Sequence, residues 1–232
     1  MNILKLLFDI DFIILKPLGY SLSLLELIGV LSGLFCVYLT AKEKLSGWIF
    51  GIVNALFFLI MFYQVRLYSD TILQVYYFFM SIYGFIKWST PRKTKDKCER
   101  LKVTSMEKKA LILDLTAVVV SVFLLGFFMR SLHNILPLFF PEPAAFPFGD
   151  AFTTIMSLNA QVFMTHKKRE SWLMWVSVDI VATIIYFIKG INLVAIEYIV
   201  FGIISSYGFY KWNKSYALES VKQTLPLKES AT

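Results

Sequence analysis

Charge is what this chain has least of. Asp, Glu, Lys and Arg make up 17% of its 232 residues, against about 25% in a soluble domain. Hydrophobic residues make up 57%. That excludes intrinsic disorder, which needs low hydrophobicity and high charge. A soluble enzyme of this length is excluded on similar grounds, because one small core could not hide so much apolar surface. Histidine is nearly missing: His133 and His166 both lie near the ends of apolar runs. The two cysteines, Cys36 in an apolar run and Cys98 in a charged loop, are expected to stay free thiols. No HExxH, paired CxxC, P-loop or GxSxG motif occurs. No segment is large enough for a nucleotide-hydrolysing domain. The chain is therefore not read as an enzyme, and no metal or cofactor is expected.

What is present is a series of apolar runs of membrane-spanning length, near 22–40, 47–66, 69–88, 110–131, 148–165, 171–189 and 192–211. The expected fold class is an all-α membrane protein with seven transmembrane helices. The first 19 residues carry Asp9 and Asp11, lack a small-residue cleavage site, and are expected to form a short interfacial helix ended by Pro17 and Gly19. Asp70 and Asp150 suit helix starts. Orientation follows from Lys and Arg. With the N-terminus outside, eighteen basic residues fall on the inner side and five on the outer, so an N-out, C-in topology is expected. The basic loop at 89–109 is read as a topology determinant rather than a nucleic-acid site.

The chain also repeats itself. Ser81-Ile82-Tyr83-Gly84-Phe85-Ile86-Lys87-Trp88 matches Ser205-Ser206-Tyr207-Gly208-Phe209-Tyr210-Lys211-Trp212 at six of eight positions, at an offset of 124. The same offset places Trp48 on Trp172. One residue of slippage in the first loop then pairs Thr40 with Thr165. Two three-helix units separated by one helix run parallel, a 3+1+3 plan like that of SWEET-type transporters, whose substrate sits near the midplane between the halves. The expected organisation is an N-terminal segment (1–19), a first repeat (20–88), a basic cytoplasmic loop with a linker helix (89–131), an outer loop (132–147), a second repeat (148–212) and a cytoplasmic tail (213–232).

An ionisable group at mid-span costs roughly 2.5–3.5 kcal/mol on insertion scales, so Asp179 needs a reason. Trp172, Trp175, Asp179 and Tyr186 recur at helical spacing on one face. Two indoles beside a carboxylate suit a flat cation, although Trp172 also suits an interfacial aromatic belt. The repeat partners of Trp175 and Asp179 are Gly51 and Ala55, so the expected site is asymmetric. Asn54, Gln74 with Tyr77, Asn159, Gln161 and Tyr198 add polar groups within spans. Such amides can bind a ligand or join helices.

The stretch FGIVNALFFLIMFYQVRLYSDTILQVYYFFMSIYGFIKW, with FPFGDAF, ESWLMWVSVD and EYIVFG in order after it, strongly resembles the PnuC family of bacterial vitamin transporters. The resemblance covers about 20–88 and 146–212. It implies a seven-helix 3+1+3 transporter, often a homotrimer, in the bacterial inner membrane. It implies uptake of nicotinamide riboside by facilitated diffusion, with a cytoplasmic kinase trapping the product. It carries substrate-binding roles over to Asn54, Gln74, Trp172 and Trp175. At 179 the nicotinamide riboside members are expected to have Asn, and this chain has Asp. Thiamine is therefore the alternative substrate, since both vitamins are flat aromatic cations. A membrane scaffold or receptor is the alternative of another class.

Overall fold

Seven long helices carry the chain in a computed structural model that describes residues 7–16, 21–65, 68–94, 97–138 and 143–224. They are α1 (Leu24–Ala41), α2 (Ser46–Gln64), α3 (Tyr68–Ser89), α4 (Lys108–Ile135), α5 (Pro147–Thr165), α6 (Ser171–Ile188) and α7 (Asn192–Thr224). Two short hairpins accompany them: β1 (Ile13–Leu15) with β2 (Leu22–Ser23), and β3 (Arg92–Thr94) with β4 (Lys97–Glu99), both antiparallel. Four helices, α1, α2, α4 and α6, are long and apolar enough to cross a membrane. α3 and α5 have the length but a more polar composition.

Local chemistry sets the helix ends. Ser23 Oγ accepts the Glu26 amide at 3.1 Å, a serine cap with an acid three residues on. Pro147 occupies the first turn of α5, where its missing N–H costs nothing. Asp70 and Asp150 lie in the first turns of α3 and α5, where a carboxylate complements the helix dipole.

Among the described residues, the expected N-terminal helix does not run on to Pro17: no helix continues beyond Leu7. Asp9 Oδ1 takes the Asp11 amide at 3.0 Å, a local bond that competes with a helix, and Ile13–Leu15 then pairs with Leu22–Ser23. Gln64 holds this segment from the end of α2, accepting from the Ile10 amide and donating to the Phe8 carbonyl. Pro17 and Gly19, expected to end that helix, lie outside the described residues.

The chain forms two compact units, 1–101 and 102–232. In the first, α1 packs on α2 and α2 on α3; in the second, α4 through α7 pack in series. Each unit contains the same two devices. The first is a left-handed turn at a non-glycine residue, Glu43 with φ 57° and Lys167 with φ 51°. Around it Lys44 N donates to Leu39 O at 2.9 Å, and Lys168 N donates to Phe163 O at 3.0 Å. The offset of 124 thus runs through the turn without slippage. Ala41, not Thr40, stands opposite Thr165, which corrects the expected register of the first loop.

The second device is a tryptophan seated on a glycine. A Cβ at Gly84 would come within 2.5 Å of the Trp48 ring, and one at Gly208 within 2.6 Å of the Trp172 ring. Trp48 meets Trp88 edge-on, with centroids 5.2 Å apart and planes at 85°. Trp172 meets Trp212 at 5.5 Å and 89°. Only glycine allows a ring that close to a helix backbone.

The basic loop is ordered on one side by the second unit. Thr104 N donates to Lys167 O and Arg169 N to Thr104 O, both at 3.0 Å. Glu170 accepts from Ser105 Oγ at 2.5 Å and from Met106 N at 3.1 Å. Past Trp212, where the span was expected to end, α7 continues to Thr224. There Arg169 donates to Asn213 at 2.9 Å and lies over Tyr216, and Lys102 pairs with Glu219 at 3.2 Å.

Candidate functional site

Asp179 lies in the middle of α6, an apolar helix of spanning length, and is 4% exposed. Burying a carboxylate in such surroundings is unfavourable unless hydrogen bonds compensate. Ser205 Oγ on α7 supplies one, donating to Oδ2 at 3.0 Å. Gly202, on the same helix one turn earlier, faces it: a Cβ there would stand in ordinary contact, 3.5 Å from that of Asp179.

Asp179 borders a cleft of about 490 Å³ between α6 and α7. Thr183, Tyr198 and Ser206 supply its other polar edges, and Ile180, Ile184 and Ile203 its exposed apolar rim. Tyr198 stacks on Tyr186, with ring centroids 5.5 Å apart and planes at 12°. The cleft therefore offers one anionic group, an aromatic wall and aliphatic surface. That combination favours an organic cation with a flat apolar part.

The other sequence-derived candidates divide. Trp172 is fully buried on Gly208 and Trp212, so it anchors α6 to α7 instead of lining a cleft or an interfacial belt. Its indole Nε1 has no partner among the described residues. Trp175 is half-buried and packs against the cluster of Val118, Met156, Ala160, Met174 and Val178, on the side of α6 that faces α4 and α5. Gln161 is half-buried on α5 of the same unit. Asn159 is spent on a helix contact, donating to Asp114 Oδ2 at 2.8 Å.

Asn54, Gln74 and Tyr77 belong to the first unit. Asn54 Nδ2 donates to the Gly29 carbonyl at 2.8 Å and so joins α2 to α1. Gln74 Oε1 is buried with no partner among the described residues, which leaves an acceptor for a ligand. Tyr77 packs edge-on against Tyr76.

Sequence reasoning missed two groups. Ser205 was inside the repeated motif, and its match to Ser81 at the repeat offset was a signal of placement but not of its acid partner. Asp114 lies inside an apolar run whose mean character concealed it.

Comparison with known proteins points one way. A family profile described as nicotinamide mononucleotide transporter matches residues 23–214. The nicotinamide riboside transporter PnuC of Escherichia coli (strain K12) is 32% identical over 212 residues, spanning 85% of this chain and 88% of that protein. Its namesake in Neisseria mucosa is 26% identical, spanning 83% and 73%. The one in Haemophilus influenzae is 25% identical, spanning 83% and 80%. A crystal structure of the vitamin B3 transporter PnuC matches with a TM-score of 0.62 over 82% of this chain and 80% of that one. At 24% identity that likeness speaks for the fold. These relatives are membrane transporters and not enzymes, and the chain belongs to the nicotinamide mononucleotide transporter family.

Proposed function

We propose that this protein takes up nicotinamide riboside across the bacterial inner membrane by facilitated diffusion. The names of the relatives support the substrate. The observation that carries the reading is the Asp179 carboxylate, buried at mid-helix beside Tyr198 and an aliphatic rim. Nicotinamide riboside is a pyridinium, flat and positively charged. A carboxylate in a poorly hydrated cleft attracts such a cation more strongly than it would in water. All seven helices span the bilayer in a 3+1+3 parallel repeat resembling that of SWEET-type transporters, N-out and C-in. The repeated glycine-seated tryptophans and the repeated left-handed turn support that plan. The distribution of Lys and Arg supports the orientation.

Asp179 and Tyr198 contact the ligand from α6 and α7. Further candidate ligand residues are Trp175 and Gln161 in the second repeat and Asn54, Gln74 and Tyr77 in the first. Trp172 holds the site from beneath, as the packed base of α6. A cytoplasmic kinase traps the product by phosphorylation, and the transporter works as a homotrimer, as the family resemblance implies. Asp in place of an expected Asn favours a second substrate, thiamine, which is also a flat aromatic cation.

The test is uptake of radiolabelled nicotinamide riboside into proteoliposomes, with thiamine as competitor. Saturable uptake that thiamine leaves intact is expected. Uptake of thiamine instead assigns the second vitamin. Uptake of neither contradicts transport and leaves a scaffold or receptor that binds through the basic loop.

A further inference from the structure

Three hydroxyls border Asp179, and two of them are already committed. Thr183 Oγ1 donates to the Asp179 main-chain carbonyl, and Ser206 Oγ to the Gly202 carbonyl, both at 2.7 Å. A hydroxyl has one proton to give, so neither can serve the carboxylate as well. Ser205 gives its proton to Asp179 Oδ2 at 3.0 Å, with both side chains buried. No other donor reaches this carboxylate among the described residues, so Oδ1 is free of protein partners in a residue that lines the cleft. In the first unit the equivalent serine, Ser81, is equally buried, but Ala55 stands where Asp179 would be. There Ser81 faces Gly51, where a Cβ would lie 2.9 Å from its Oγ. Close helix approach thus explains the small residue at 81, whereas the charged partner is what position 205 has.

We propose that Ser205 is a positioning residue for Asp179. It holds Oδ2 and aims Oδ1 at the cation, so that the pair makes the site prefer a charged ligand over an uncharged one of the same shape. This rests on Asp179 acting as the counter-ion. A hydrogen bond to an ionised group is stronger and more directional than a neutral one. Without it the carboxylate can rotate away from the ligand.

The test uses the purified full chain, titrated calorimetrically with nicotinamide riboside and with its uncharged 1,4-dihydro form. The ratio of the two affinities is the charge preference. Ser205→Ala should lower that ratio about tenfold and leave the affinity for the dihydro form unchanged. Ser205→Thr, which keeps the hydroxyl, should restore the ratio. Ser205→Cys, a weaker donor of similar size, should give a smaller loss and serves if the alanine variant does not fold. Ser81→Ala should leave the ratio as it is. Combined with Asp179→Asn, Ser205→Ala should change the ratio no further, because the two act as one unit. Equal losses for both ligands in Ser205→Ala, or an undiminished effect in the Asp179→Asn background, would overturn the role of Ser205. A ratio untouched by Asp179→Asn alone would overturn the counter-ion itself.

Discussion

Trp172 meets Trp212 edge to face, with the two rings 5.5 Å apart and nearly perpendicular, and its indole lies on Gly208. Trp48, Gly84 and Trp88 repeat the arrangement in the other unit. The repeated YGFxKW sequence is thus a packing device. Its glycine receives a ring from the preceding helix, its tryptophan caps that ring, and its Lys folds back over its Tyr, as Lys87 does in donating to the Tyr83 hydroxyl at 3.0 Å.

Gly84→Ala and Gly208→Ala should therefore each destabilise the protein by about 1–3 kcal/mol, the usual cost of overpacking. Thermal unfolding midpoints of the two variants in detergent should both fall. An unchanged midpoint in either would mean that its tryptophan is not seated as described.

Glu170 fastens the segment after the basic loop. It accepts from Ser105 Oγ, Met106 N and Arg169 Nε. Glu170→Ala removes all three bonds, a loss of about 1–3 kcal/mol for a largely buried acceptor. Hydrogen exchange should rise at the Thr104 and Met106 amides while α1 and α2 keep their protection. Unaltered exchange at those two amides would contradict the clamp.

Asp114 on α4 is held by Asn159 on α5 at 2.8 Å. Asn159→Ala leaves a carboxylate without that donor on an apolar helix and should lower stability by about 1–3 kcal/mol. Asn159→Ala combined with Asp114→Leu should recover much of the loss, since both polar partners are then gone. A double variant no more stable than Asn159→Ala would show that the pair is not what joins these helices.

Facilitated diffusion predicts uptake that stops at equal concentrations on the two sides. In proteoliposomes, an imposed proton or sodium gradient should leave both the rate and the endpoint unchanged. Accumulation of unmodified substrate above the outside concentration, driven by either gradient, would contradict the mechanism.

The helices were legible in the sequence because a bilayer demands continuous apolar stretches. The runs at 22–40 and 171–189 anticipate Leu24–Ala41 and Ser171–Ile188 within two residues at each end. What escaped depends on distant partners. Nothing local announces that α7 continues past Trp212; its extension is held by Arg169 and Lys102 from other segments. The turn at Asp9 hid in an apolar stretch that reads as a helix. Helical spacing put Trp172 and Asp179 on one face, but Gly208 decides where the Trp172 ring goes. Asp179 itself was legible, because a lone acid inside an apolar run is costly and therefore informative.

The measurement that bears most directly on the account is calorimetric titration of the purified protein with nicotinamide riboside, comparing wild type with Asp179→Ala and Lys93→Ala. The account predicts that Asp179→Ala abolishes binding and that Lys93→Ala, a change in the basic loop, leaves it intact. Wild-type affinity in the Asp179→Ala protein would contradict the buried counter-ion on which the proposed site depends.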